Sequence, residues 1–183
     1  TKILALAGNA AGDVFMLYQA TNSAIGGNNY AAASYGLMKY RPSQDSVLWD
    51  SAFSYTESGQ ILIDDQGNIL VLRSVSGSNL ELFKLSPNLS LLWNESLSNG
   101  LPVGWNSYAH ICADSSGSIF GIILYSGTLT INATNFNAGN NKKLCLFKLN
   151  TNGVLQWSRN GEGFHARVAF DPVLNQVYCA VER

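Results

Sequence analysis

Charge is what this chain has least of. Asp, Glu, Lys and Arg make up only 13% of its 183 residues, about half the usual share, and the net charge is −1. Eleven Lys and Arg, scattered along the chain, form no basic stripe, so the phosphate-neutralising surface that nucleic-acid binding requires is missing. No apolar run approaches the roughly 20 residues of a membrane-spanning helix, and no membrane insertion is expected. Helical punctuation is missing too, because no window combines a 3.6-residue apolar period with caps. There are two histidines, His110 and His165. Neither has partners at metal-ligand spacing beyond an isolated His110-x-Cys112 pair, and a strand or edge histidine is the plainer reading. Nucleophile-elbow and phosphate-loop motifs are absent. Asp64, Asp65 and Asp114 lack the alternating carboxylates and terminal Glu of a calcium loop and read as turn caps. The sequence therefore predicts no catalytic residue, no cofactor and no metal, and the chain is not read as an enzyme. Cys112, Cys145 and Cys179 are odd in number, so at least one thiol is unpaired. Cysteines in β-cores are usually small buried hydrophobes, and a Cys112–Cys179 bridge stays open. The chain opens at Thr1 directly in strand-like sequence and reads as processed or excerpted.

What is present is a repeat. A polar turn with glycine precedes an apolar run in three places: Asn9 to Phe15 around Gly12, Asp64 to Leu70 around Gly67, and Asp114 to Phe120 around Gly117. A second unit follows each time. It reads Leu37-Met38-Lys39-Tyr40 leading to Trp49, then Leu82-Phe83-Lys84-Leu85 leading to Trp93, then Leu146-Phe147-Lys148-Leu149 leading to Trp157. The turn glycines recur at intervals of 55 and 50 residues, within the range of propeller blades. A fourth copy starts at Val168 and has room for two strands. The runs Ile69-Leu70-Val71-Leu72 and Ile119-Phe120-Gly121-Ile122-Ile123-Leu124 are apolar at consecutive positions. Side chains on a strand alternate between faces, so both faces of these sheets must be covered. Stacked blades cover them and also explain one Trp per copy. The expectation is all-β: a β-propeller section of about three and a half four-stranded antiparallel blades, with a β-sandwich or β-solenoid as alternatives. Residues 1–183 form one region, with blades at 1–58, 59–107 and 108–166 and a half blade at 167–183.

The third copy, from Tyr125-Ser126-Gly127 through Ala138-Gly139 and Leu146-Phe147-Lys148-Leu149 to Asn152-Gly153 and Trp157, resembles the bacterial-type β-propeller repeat of secreted and surface proteins. The resemblance implies blades whose strands run from innermost to outermost, in a ring of more than four. It carries no single activity. The first copy departs from the pattern, with Tyr40-Arg41-Pro42-Ser43 after its Lys and a longer Gly/Asn-rich insert from Ser23 to Ser34.

Trp49, Trp93 and Trp157, flanked by apolar residues, read as packing between blades. Trp105 lies with Tyr108 in the Gly/Pro-containing connection between the second and third copies, and the two are the candidate ligand contacts, because ligands are often met by such loops. Asn88, Asn94 and Asn132 head Asn-x-Ser/Thr triplets and are candidate N-glycosylation sites. Three such triplets are what this Asn, Ser and Thr content yields by chance, and Asn88, on a Ser-Pro-Asn turn, has the right placement. Ser, Asn, Gly and Thr supply most of the polar half, a composition suited to an extracellular or cell-surface β-protein. The functional expectation is a non-catalytic binding or structural module of a larger protein. Its partners would be the rest of that polypeptide, further copies of the chain, or a protein or glycan ligand. The alternatives are a quinoprotein-like propeller enzyme, whose Ala-x-Asp-x-x-Thr-Gly turns match poorly here, and a carbohydrate-binding propeller.

Overall fold

The computed structural model describes residues 2–20, 23–25, 28–30, 34–53, 59–75, 79–98 and 109–182. Among them are sixteen strands and one short 3-10 turn at Pro42–Gln44. Three four-stranded sheets follow one another along the chain. The first comprises β1 (Lys2–Gly8), β2 (Val14–Ala20), β5 (Ser34–Arg41) and β6 (Ser46–Phe53), with a small hairpin, β3 (Ser23–Ile25) and β4 (Asn28–Tyr30), inserted after β2. The second comprises β7 (Gly59–Ile63), β8 (Ile69–Ser74), β9 (Asn79–Leu85) and β10 (Leu91–Ser98). The third comprises β11 (Ala109–Ala113), β12 (Ile119–Ile131), β13 (Thr134–Leu149) and β14 (Leu155–Gly161). A fourth, two-stranded sheet pairs β15 (His165–Asp171) with β16 (Gln176–Glu182). Every pairing is antiparallel, and within each sheet consecutive strands are neighbours apart from the β3–β4 insertion. The chain is thus all-β, built from sheets none of which closes on itself.

The repeating turn glycines hold one conformation. Gly12, Gly67 and Gly117 have φ of 80°, 78° and 79°, and each N–H bonds back to the carbonyl of the residue three earlier, Asn9, Asp64 or Asp114. A left-handed residue at this point returns the chain antiparallel, and glycine adopts it without a Cβ clash.

The consecutive apolar runs have the two-sided burial that their pattern requires. Ile69, Val71, Phe83 and Leu85 of the second sheet pack with Phe15, Leu17 and Leu37 of the first. From its other face, Leu70, Leu72, Leu80 and Leu82 pack with Ile119, Ile123, Phe147 and Leu149 of the third. Phe120, Ile122, Leu124 and Leu144 of the third sheet then meet Ala166 and Val168 of the fourth. Each fully buried Leu, Ile or Phe contributes about 1.5–3 kcal/mol. The first strands of successive sheets also touch in order, β1 with β7, β7 with β11 and β11 with β15.

One feature has no counterpart in the repeat pattern. β12 and β13 continue past their sheet as a two-stranded arm, bent where Gly127 (φ 64°) faces Gly139 (φ 60°). The arm buries Leu129 and Ile131 in the core between the second and third sheets. Gly121 marks a second tight place, because a Cβ there would lie 2.1 Å from the Phe147 ring on the facing strand. Gly121→Ala is expected to lower stability by about 1–3 kcal/mol, as overpacking does. The check is urea unfolding, with a lower midpoint at an unchanged slope.

Candidate functional site

The most regular polar feature of the molecule sits at one end of each sheet. Asp64 heads the β7–β8 turn, and its Oδ1 accepts the N–H groups of Gln66 and Asn68 at 3.0 and 2.8 Å. Its Oδ2 meets Lys84 Nζ of β9 at 2.9 Å, with the lysine side chain only 4% exposed. The third sheet repeats the unit. Asp114 Oδ1 caps Ser116 and Ser118, and Oδ2 lies 3.5 Å from Lys148 Nζ of β13. In the first sheet the acid and amide have changed places. Asn9 Oδ1 accepts the Asp13 N–H, and Asp13 takes both Lys39 and Arg41, at 2.9 and 2.6 Å. Asp13 stands where Asn68 and Ser118 stand in the later copies, and it reaches the same lysine position.

On the strands, the lysine is flanked by an aromatic or aliphatic residue on one side and tryptophan on the other. Lys39 lies between Phe15 and Trp49, Lys84 between Leu70 and Trp93, and Lys148 between Phe120 and Trp157. Lys39 and Lys148 sit over the Phe15 and Phe120 rings, at 5.3 and 4.8 Å from the centroids, a favourable cation–π placement. Trp93 reaches the next sheet. Its Nε1 donates to the Thr151 carbonyl at 3.0 Å, and its ring lies so close to Gly153 that a Cβ there would stand 2.8 Å away. Trp93 thus spans the seam between the second and third sheets. Trp157 is 36% exposed and faces the two-stranded sheet. The side chain of Trp49 lies outside the described residues.

A second recurring contact ties the first strands together. Gln60 of β7 clamps the Ile111 backbone of β11, with Nε2 donating to the carbonyl and Oε1 accepting the N–H, both at 2.8 Å. His110, at the matching place on β11, hydrogen-bonds the Val168 backbone of β15. His110 thus joins the first strands of the third and fourth sheets. No group of three or more His, Cys, Asp or Glu is close enough to hold a metal among the described residues.

The electrostatics follow from these contacts. The Arg41 and Lys39 cations hold the Asp13 carboxyl well below the usual range, against burial. Burial pushes Asp64 and Asp114 up. For Asp64 the Lys84 ammonium and the Asn68 bonds outweigh it, and for Asp114 the Ser116 and Ser118 bonds and Lys148 do the same, so both titrate low. Burial, aided by the Arg167 charge, lowers His110, against its Val168 bond. In each case the folded value lies below the unfolded one, so stability falls as pH falls through the ordinary values near 6.5 and 3.8. The melting temperature should be flat between about pH 7 and 8, decline slightly below about 6.5 and fall steeply below about 4. It should fall again above about 9, where the thiols that burial raises ionise in the unfolded chain first. His110→Gln, which copies Gln60, should remove the first decline and leave the second, as read by calorimetry across pH.

The three cysteines are free thiols. Cys145 is buried in its packed strand and its thiol is pushed up to about 12, and burial takes Cys112 to about 11. Asn88 and Asn94 are exposed, on the β9–β10 turn and on β10. The Asn132 amide, in contrast, is fully engaged. Its N–H and Nδ2 donate to Glu95 at 2.6 and 2.8 Å, and its Oδ1 accepts the Leu155 N–H. It pins the tip of the arm to the second and third sheets, and a glycan on Nδ2 would break that bond to Glu95. Trp105 and Tyr108 lie outside the described residues.

The Asp–Lys pairing was not read from the sequence, although its signal was there, since each copy holds Lys at a constant place between a turn acid and Trp. The Gln60 clasp had no such signal, because Ala5, His110 and Arg167 fill the matching places in the other copies.

No protein-family model matches the chain, and no curated protein matches it. Among solved structures it is similar to a protein of unknown function from Bacteroides caccae, at 15% identity and a TM-score of 0.58. The match covers 98% of this chain and 53% of that one, so the chain spans about half the length of its structural neighbour. At that identity the likeness concerns the fold alone.

Proposed function

We propose that the chain is a section of a β-propeller that serves as a non-catalytic structural and binding module of a larger extracellular or cell-surface protein. The observation that carries this reading is that the recurring polar residues join one sheet to the next. Gln60 and His110 bind the backbone of the following first strand, and Trp93 binds the following outer turn. First strands touching in sequence, with sheet faces filled by lateral neighbours, support a radial packing of blades. A sandwich pairs two sheets across one core and gives no reason for a contact inherited from copy to copy. The low charge and the Ser, Asn, Gly and Thr content support the extracellular assignment.

On this reading its partners are the rest of the larger polypeptide or further copies of itself. Sedimentation velocity on the purified chain tests this. Self-association that grows with concentration is expected, because an uncovered blade face is an apolar patch. A monodisperse, cooperatively melting monomer would favour a self-contained sandwich.

A further inference from the structure

Four residues around the two-stranded sheet occupy repeat positions whose usual partners are absent among the described residues. Asp171 stands where Asp64 and Asp114 stand. Its Oδ1 accepts the N–H groups of Val173 and Leu174 at 2.8 and 3.1 Å, while its Oδ2 has no cation there. Tyr178, opposite Ala169 on β15, takes the place of Phe15, Leu70 and Phe120 and is 49% exposed. In the other sheets a lysine from the third strand lies beside that residue and reaches the acid. Trp157 lacks the turn that covers Trp93. Arg167 stands at the clasp position of Gln60 and His110, and it is exposed.

On the opposite face of β16, toward the third sheet, lies a groove of about 240 Å³, floored by Ile122, Leu144 and Leu146 and edged by Cys179 and Val181 of β16. Among the described residues the strand pairs only with β15, and the backbone groups of an edge strand are a template for a further strand. In the second sheet the side chains turned the same way from the third strand are Phe83 and Leu85, on either side of Lys84. In the third they are Phe147 and Leu149, on either side of Lys148.

We propose that the outer edge of β16 and this groove are the docking site for a β-hairpin of the chemistry aromatic-Lys-Leu, Asx/Gly turn, Trp. The edge would be completed by strand addition. The hairpin's lysine lies beside Tyr178 and pairs with Asp171, its aromatic and leucine fill the groove, and its glycine turn covers Trp157. The proposal rests on the propeller reading and deepens it by fixing the chemistry of the partner strand pair. Charge complementarity at Asp171 selects this occupant over an uncharged strand.

Cys179, exposed on β16 at the lip of the groove, is a built-in reporter. The probe is the full chain carrying, after Arg183 and a flexible linker, a second copy of residues 142–161 with serine in place of its cysteine. Linkage gives the hairpin an effective concentration in the millimolar range. Maleimide labelling of Cys179, followed by peptide mass spectrometry, should slow by about tenfold or more, and the amides of 176–182 should gain exchange protection. Asp171→Asn, or methionine for the lysine of the appended hairpin, should restore most of the labelling.

Unchanged labelling and exchange would overturn the proposal, as would protection that survives both substitutions. Protection already present in the unextended chain and lost on dilution would assign the groove to a second copy and overturn the hairpin assignment. The propeller reading fails separately, through the sedimentation result above, whatever the labelling shows.

Discussion

Replacing Lys84 by Met lowers the unfolding free energy by about 3–5 kcal/mol, the usual consequence of leaving one member of a buried ion pair alone. The pair is closed in from outside its own sheet. Gly117, in the first turn of the third sheet, lies against the pair, because a Cβ placed on it would stand 3.9 Å from Asp64 Oδ2 and 4.0 Å from Lys84 Nζ. With the ammonium gone, the Asp64 carboxylate keeps its turn N–H groups but has no cation, and water has little access to it. The paired substitution Asp64→Asn with Lys84→Met should recover much of the loss, because no buried charge remains. Lys148→Met removes the same contact where it is longer and wetter, with 27% of the lysine side chain exposed, and should cost about 1 kcal/mol or less. Urea unfolding of the four proteins checks the cycle. Equal losses at Lys84 and Lys148 would show that the neighbouring sheet contributes nothing to the pair.

The second large effect concerns the seam. Trp93→Ala should cost about 3–5 kcal/mol, as truncation of a packed aromatic does, because it empties the space over Gly153 and leaves the Thr151 carbonyl without its indole donor. Trp157→Ala removes the same residue type from the same repeat position, yet its turn partner is absent, so the loss should be about 1 kcal/mol. Thermal melts that fell equally for both would contradict the reading of tryptophan as an inter-sheet residue. A Trp93→Ala melt within a degree or two of the parent would mean that its indole is dispensable to the seam.

Much of this architecture is legible in the sequence because its signals are local. Asn-Gly and Gln-Gly turns, runs such as Ile69 to Leu72 and a tryptophan at a fixed place in each copy each report on a few consecutive residues. The strands and their two-sided burial follow from them. What escaped depends on contacts between copies. Gln60 is one of many uncharged polar residues until the Ile111 backbone is placed against it. The exchange of Asn9 and Asp13 hides the first copy's ion pair, since the acid has moved four residues along the turn. The arm was invisible because Thr128 to Asn137 reads as ordinary hairpin sequence, and only the facing pair Gly127 and Gly139 marks its bend. Asn132 looked like an available sequon for the same reason, its partners Glu95 and Leu155 being distant in sequence.

The central claim is that successive sheets fan out from touching first strands instead of pairing across a single core. Small-angle X-ray scattering on the extended chain, with Asp171 and the appended lysine intact, tests it most directly. The account predicts a profile, extrapolated to low concentration, that fits four sheets in a radial arc, with the fourth now completed. A profile that fits two sheets packed face to face would contradict it.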